Sequence, residues 1–147
     1  MTVVLVHHAQ AVPPDVDPQR PLSDAGVEHA RRLAERARQS GIAPAAIWHS
    51  GKLRARQTAE AFLLACNPSA EFRMVKGLGP DDEPRWMTDV VAAETRDLLL
   101  VSHMPLIPAL ARALAPAIAS FPAHGLVALA RSGEIYEERL RLESTDE

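Results

Sequence analysis

Val3-Val4-Leu5-Val6-His7-His8-Ala9-Gln10 is the stretch that decides how the chain is read. Four consecutive apolar residues, mostly β-branched, fit a strand buried on both faces. The strand runs straight into two imidazoles and a side-chain amide. In an open α/β sheet, ligands gather beyond the carboxyl ends of the strands. His8 is therefore read as the functional centre, with His7 and Gln10 as candidate binding groups beside it.

Outward from this strand, Ala11 to Pro21 carries four prolines and reads as a loop at the same edge. Ser23 caps a helix predicted to run to about Gln39, with Val27, Ala30, Leu33, Ala34 and Ala37 at helical spacing and Gly41 as its stop. Ala45 to Ser50 reads as a second strand ending in His49-Ser50. Leu53 to Cys66 reads as a helix with Arg54 in its first turn. Glu71 to Val75 is a candidate edge strand. Leu78-Gly79-Pro80-Asp81-Asp82-Glu83 is a loop with three acids in a row. Pro84 opens a helix on which Trp86, Val90 and Val91 are expected to face the core. Leu98-Leu99-Leu100-Val101 is another doubly buried strand, and it ends in His103. A helix follows from Met104 to Ala115. Pro122 to Gly125 is a turn, and Leu126 to Arg131 with Ile135 to Leu142 form a closing hairpin through Ser132-Gly133. The tail Glu143 to Glu147 is expected to fray. The pattern predicts an α/β three-layer sandwich with a mostly parallel sheet and an antiparallel C-terminal edge hairpin.

The 147 residues favour a single domain, 1–147, around one core. A formal net charge of -3 gives no reason to expect nucleic acid or an anionic membrane as partner. No apolar run approaches the roughly 20 residues of a membrane helix. The N-terminus does not read as a signal peptide, and the one cysteine, Cys66, suits a reducing compartment, so a cytoplasmic location is expected.

Three strand ends thus carry His7-His8, His49-Ser50 and His103, with Arg54 close to the second. A parallel sheet brings such ends to one rim, where imidazoles, a guanidinium and helix N-termini suit an oxyanion. Nearby acids could supply a proton. The combination points to phosphoryl transfer through a histidine nucleophile.

At these residues the chain resembles the histidine phosphatase superfamily, in particular its small phosphohistidine phosphatase (SixA-like) branch. Leu5-Val6-His7-His8-Ala9 occupies the place of the family's strand and Arg-His-Gly or Arg-His-Ala. Arg20-Pro21-Leu22-Ser23-Asp24-Ala25-Gly26 is similar to the segment leading into its first helix. Ser50-Gly51-Lys52-Leu53-Arg54-Ala55-Arg56-Gln57-Thr58-Ala59 matches its Ser-x-x-x-Arg-Ala-x-Gln-Thr-Ala pattern. Leu100-Val101-Ser102-His103-Met104-Pro105 matches the strand bearing its second histidine. The resemblance implies that His8 attacks phosphorus, that Arg54 and His103 hold the phosphoryl oxygens, and that Asp82 protonates the leaving group, with Asp81 and Glu83 as neighbouring alternatives. It implies no cofactor and no metal. It implies a phosphorylated protein or a small phosphorylated molecule as substrate. The short chain, without the insertions that larger relatives use as lids, favours a phosphohistidine on a protein surface.

The departures from the pattern are as informative. His7 stands where the family has arginine, exchanging a permanent bidentate charge for an imidazole charged only below about pH 6.5 unless shifted. Gly51 replaces a proline. His49 precedes Ser50 where a small residue is expected, and His124 lies in a turn near the expected pocket. His7, His49 and His124, with Ser50, are candidate binding residues. Two other classes fit the same residues: a non-catalytic relative that binds an anion or a protein partner, and a metal-binding variant using His7, His8, His49, His103 and His124 toward zinc, copper or nickel.

Overall fold

A computed structural model describes residues 1–144. The elements in order are β1 (Thr2–His7), α1 (Asp24–Gln39), β2 (Ala46–His49), α2 (Leu53–Cys66), β3 (Glu71–Met74), α3 (Pro84–Ala93), β4 (Leu98–Ser102), α4 (Leu106–Leu114), β5 (Leu126–Ser132) and β6 (Ile135–Leu142). The strands form one sheet in the order β3-β2-β4-β1-β5-β6. β3, β2, β4 and β1 run parallel, whereas β5 pairs antiparallel with both β1 and β6. This is the α/β architecture expected from the sequence, with the antiparallel hairpin at one edge.

Side chains alternate across a strand, and β1 shows how the layers arise. Val3 and Leu5 join a core with Met87, Val91, Leu106, Ile107 and Leu110, which belong to α3 and α4. Val4 and Val6 join a second core with Leu33, Ala34, Ala37, Ala55, Ala59 and Phe62, which belong to α1 and α2. Helices thus cover both faces, which is why β1 and β4 read as continuous apolar runs.

One sequence expectation is corrected. Trp86 and Val90 do not face the core: they are 57% and 40% exposed. α3 buries the i, i+4 stripe Met87–Val91. Trp86 and Val90 are themselves four apart and form the adjoining stripe, which lines a surface cleft with Ser50 and Asp82. The tail is tied down at its start, since the Arg36 guanidinium donates to the Glu143 carbonyl (2.7 Å). The rest of the expected fraying falls on Thr145 to Glu147, outside the described residues. Among the described residues, no helix is long and apolar enough to cross a membrane.

The loop after β1 is anchored on α1. Ser23 caps the helix by accepting from the Gly26 N–H (3.0 Å), and its own N–H donates to the Gln10 carbonyl (3.0 Å). A methyl group at position 26 would collide with that carbonyl. Gly26→Ala is therefore expected to cost about 2 kcal/mol or more, on the scale of overpacked sites. Urea unfolding of the two chains checks it.

Candidate active site

Strand register builds the rim. His7 pairs with Ser102 and His49 with Val101, so the carboxyl ends of β1, β2 and β4 lie side by side. The His8 N–H donates to the Ser102 carbonyl (3.1 Å), which holds the two strand ends together one residue further on. Because β5 runs antiparallel, it begins at this rim rather than ending there. Val6 pairs with Leu126, and the His7 N–H donates to the Gly125 carbonyl (3.0 Å). That brings His124 into the cluster. The rings of His7 and His8 are 4.6 Å apart, those of His7 and His124 are stacked at 4.6 Å, and those of His8 and His103 are 4.9 Å apart.

Hydrogen bonding assigns the proton positions. A carbonyl only accepts, so the contact between His8 Nδ1 and the Ala9 carbonyl (2.7 Å) puts a proton on Nδ1 and leaves the Nε2 lone pair bare. His124 is held the same way, with its Nδ1–H on the His8 carbonyl (2.7 Å). His7 is opposite: its Nδ1 accepts the His124 N–H (2.8 Å), so in the neutral ring the proton sits on Nε2. His103 Nε2 shares a hydrogen bond with the Ser50 hydroxyl (2.6 Å). Two buried atoms in this region, His103 Nδ1 and Arg54 Nε, have no partner among the described residues.

Burial controls the charges. It lowers the pKa of His7 to about 3, with the neighbouring His8 adding to the effect. It lowers His8 to about 4, against the opposing pull of the Ala9 hydrogen bond and with the charge of Arg54 lowering it further. It lowers His103 to about 3, with His8 and then Arg54 contributing. All three rings are neutral at pH 7. His7 therefore does not reproduce the fixed charge of an arginine at any ordinary pH, and acts as a neutral N–H donor.

The other sequence candidates divide. Arg54 stands in the first turn of α2, in a cleft with Lys52 and Arg56, and its charge reaches all three buried histidines. Ser50 joins the site through His103. Asp82 lines the cleft that Ser50 also lines, while Asp81 and Glu83 do not. One carboxylate oxygen of Asp82 accepts the Gly79 N–H (2.8 Å), which fixes the acidic loop. His49 is not brought into the cluster: its ring packs against Phe72 at 5.1 Å, and its Nδ1 accepts the Gly51 N–H (3.0 Å). Strand alternation puts His49 on the face of Ile47 and Val101, opposite to that of His7, where it meets Phe72, and leaves Ser50 at the rim. Gln10 has an exposed side chain, and its carbonyl serves α1. Gly51 sits at φ +92°, which proline cannot adopt, so the missing proline follows from the local turn. A second cavity lies at the amino ends of the strands, lined by Thr2, Ser40, Asp97 and Arg139 among others, and contains no histidine or cysteine.

The model of the histidine phosphatase superfamily (branch 1) matches residues 3–78, which include His7, His8, Ser50 and Arg54. The chain belongs to the histidine phosphatase superfamily. Membership supports a phosphatase kind of activity. The fold is similar to that of the protein histidine phosphatase SixA solved with tungstate (TM-score 0.87, 20% identity, 97% of each chain covered). It is similar to a protein assigned as a phosphohistidine phosphatase SixA from Agrobacterium tumefaciens (TM-score 0.80, 25% identity, 96% of each chain). It is also similar to a mycobacterial glucosyl-3-phosphoglycerate phosphatase (TM-score 0.70, 17% identity, 97% of this chain and 99% of that one). No curated protein matches the chain.

Two residues of this histidine phosphatase-family chain escaped the sequence reading. Thr58 is buried on α2; its hydroxyl accepts the Ala9 N–H (3.0 Å) and donates to the Arg54 carbonyl (2.8 Å). It thus ties the residue after His8 to the helix turn that carries Arg54. Arg20 has a left-handed backbone (φ +51°) and donates from Nε to the Val12 carbonyl (3.0 Å). Its charge reaches His8, His103 and Arg54. Both stand inside the matched motifs, and a left-handed non-glycine residue ahead of a proline is the one structural signal that marks Arg20.

Proposed function

We propose that the protein is a phosphatase that works through a phosphohistidine on His8. The observation that carries this reading is the anchored Nδ1–H of His8, which keeps a bare lone pair on Nε2 at neutral pH. Nε2 attacks phosphorus, the bond from phosphorus to the leaving group breaks, and the leaving group takes a proton from Asp82. Water then attacks the phosphorylated His8 and gives its proton to the Asp82 carboxylate. Phosphate leaves, and the His8 lone pair is restored.

Arg54 and Arg20 supply the fixed positive charge near the transferred group, and the Nε2–H of His7 adds a neutral hydrogen bond. His103, oriented by Ser50, holds a second phosphoryl oxygen. The unpartnered Arg54 Nε and His103 Nδ1 support an anion as the missing partner, since buried polar atoms are rarely left unpaired. His124 completes the wall behind His8. Gln10 and His49 stand outside this reading. The substrate is a phosphohistidine on a protein surface in preference to a small phosphomonoester. This rests on the exposed Trp86 and Val90 beside the Ser50 cleft, which leave room for a large body.

Turnover of a phosphohistidine protein and of small phosphomonoesters tests this. The expected result is a higher kcat/KM on the protein; preference for a sugar phosphate would reverse the substrate assignment. On either substrate, Arg54→Ala is expected to lower kcat/KM by on the order of 10²–10³, the scale of one lost transition-state donor.

A further inference from the structure

His7, His8 and His124 each place one ring nitrogen within 4.8 Å of the other two. Two of the three are presented as metal-bound histidines usually are, with one ring nitrogen donating to a backbone carbonyl and the other bare. His8 Nδ1–H donates to the Ala9 carbonyl and His124 Nδ1–H to the His8 carbonyl, both at 2.7 Å. These anchors fix the two rings 6.0 Å apart between centroids. Two imidazoles sharing one ion at Zn–N distances of about 2.0–2.1 Å place their centroids roughly 5–6 Å apart.

His124 is also held in a conformation that a histidine adopts at some cost. Its φ is +54°, and left-handed backbone costs a non-glycine residue roughly 1–2 kcal/mol. The turn keeps it there through its N–H to His7 and its ring to the His8 carbonyl. His7 differs in chemistry from the other two. With Nδ1 accepting an amide proton, its Nε2 carries hydrogen and has no lone pair for an ion.

We propose that a divalent transition-metal ion of the Zn²⁺, Ni²⁺ or Cu²⁺ type binds to Nε2 of His8 and Nε2 of His124, while the Nε2–H of His7 donates to a water or oxyanion on the same ion. The donor set is imidazole nitrogen without carboxylate, which selects these ions over Mg²⁺ or Ca²⁺. The ion would occupy the lone pair that His8 uses for attack, so it switches the site off reversibly. That consequence rests on the reading of His8 as nucleophile; the binding itself does not.

Calorimetric titration with Zn²⁺ at pH 7.5 tests the site directly. One ion per chain is expected, with no heat from Mg²⁺. His124→Asn keeps a residue that tolerates left-handed backbone but removes the imidazole. It is expected to weaken Zn²⁺ binding at least tenfold in a chain whose circular dichroism matches the parent. His29→Ala, a histidine on α1 outside the cluster, is expected to bind Zn²⁺ as the parent does. No heat up to millimolar Zn²⁺, or equal binding by His124→Asn and the parent, would overturn the proposal. A chain that turns over phosphate esters but takes no Zn²⁺ refutes this inference alone. A chain that takes Zn²⁺ but shows no turnover refutes the phosphatase reading alone.

Discussion

Replacing His8 with alanine is expected to abolish turnover, with a loss in kcat on the order of 10⁴ or more, the scale seen when an enzyme loses its nucleophile. The expectation follows from the proton map of the site. His8 is the one ring of the cluster with a bare Nε2 on the strand end that faces His103, and Arg54 lies close enough to lower its pKa. His124 has the same tautomer but belongs to a turn. The substitution removes an imidazole that is 8% exposed, together with its hydrogen bond to the Ala9 carbonyl. Circular dichroism against the parent separates loss of the nucleophile from loss of the fold. Steady-state assays with the parent as reference measure the loss. Retention of more than a few per cent of the parent rate would remove His8 from the mechanism.

Acid is expected to destabilise the fold steeply, beginning well above the range where carboxylates titrate. His7, His8 and His103 have native pKa values of about 3, 4 and 3, against about 6.5 in the unfolded chain. Where the folded value of a histidine lies below the unfolded one, the unfolded state binds more protons. Stability is then lost as pH falls from about 6.5 toward the folded pKa, and it is flat above about 7. Linkage gives about 2 kcal/mol per histidine at pH 5, or about 6 kcal/mol for three titrating independently, a large share of the 5–15 kcal/mol typical of a domain. Urea midpoints measured from pH 7.5 to 5 check this. A midpoint that held constant over that range would mean that the three rings take up protons in the native state over the same pH range as in the unfolded chain, contrary to their burial.

The fold was legible in the sequence because β1 and β4 are short, wholly apolar and buried on both faces, a pattern that parallel strands between helices impose. The rim was legible for the same reason, since parallel strands must bring His8, Ser50 and His103 to one edge. His124 could be placed only in a turn, because its position depends on β5 pairing antiparallel with β1, a long-range choice that local pattern does not encode. His49 looked equivalent to His7 from its place at a strand end. Only the alternation of the pleat and the ring of Phe72 separate them. The exposure of Trp86 was hidden because hydrophobicity alone does not fix which stripe of a short amphipathic helix turns inward. The state of His7 was also beyond sequence. Its neutrality comes first from burial, and its tautomer from the amide of His124, a residue 117 positions away in the chain.

The most direct test of the central claim is to stop turnover of a phosphohistidine protein or a phosphomonoester within milliseconds and map the enzyme by mass spectrometry under alkaline conditions that preserve phosphohistidine. The account predicts one phosphoryl group, found on His8 and absent from the His8→Ala chain. Turnover that proceeds with no phosphoryl adduct, or with the adduct on any other residue, would contradict it.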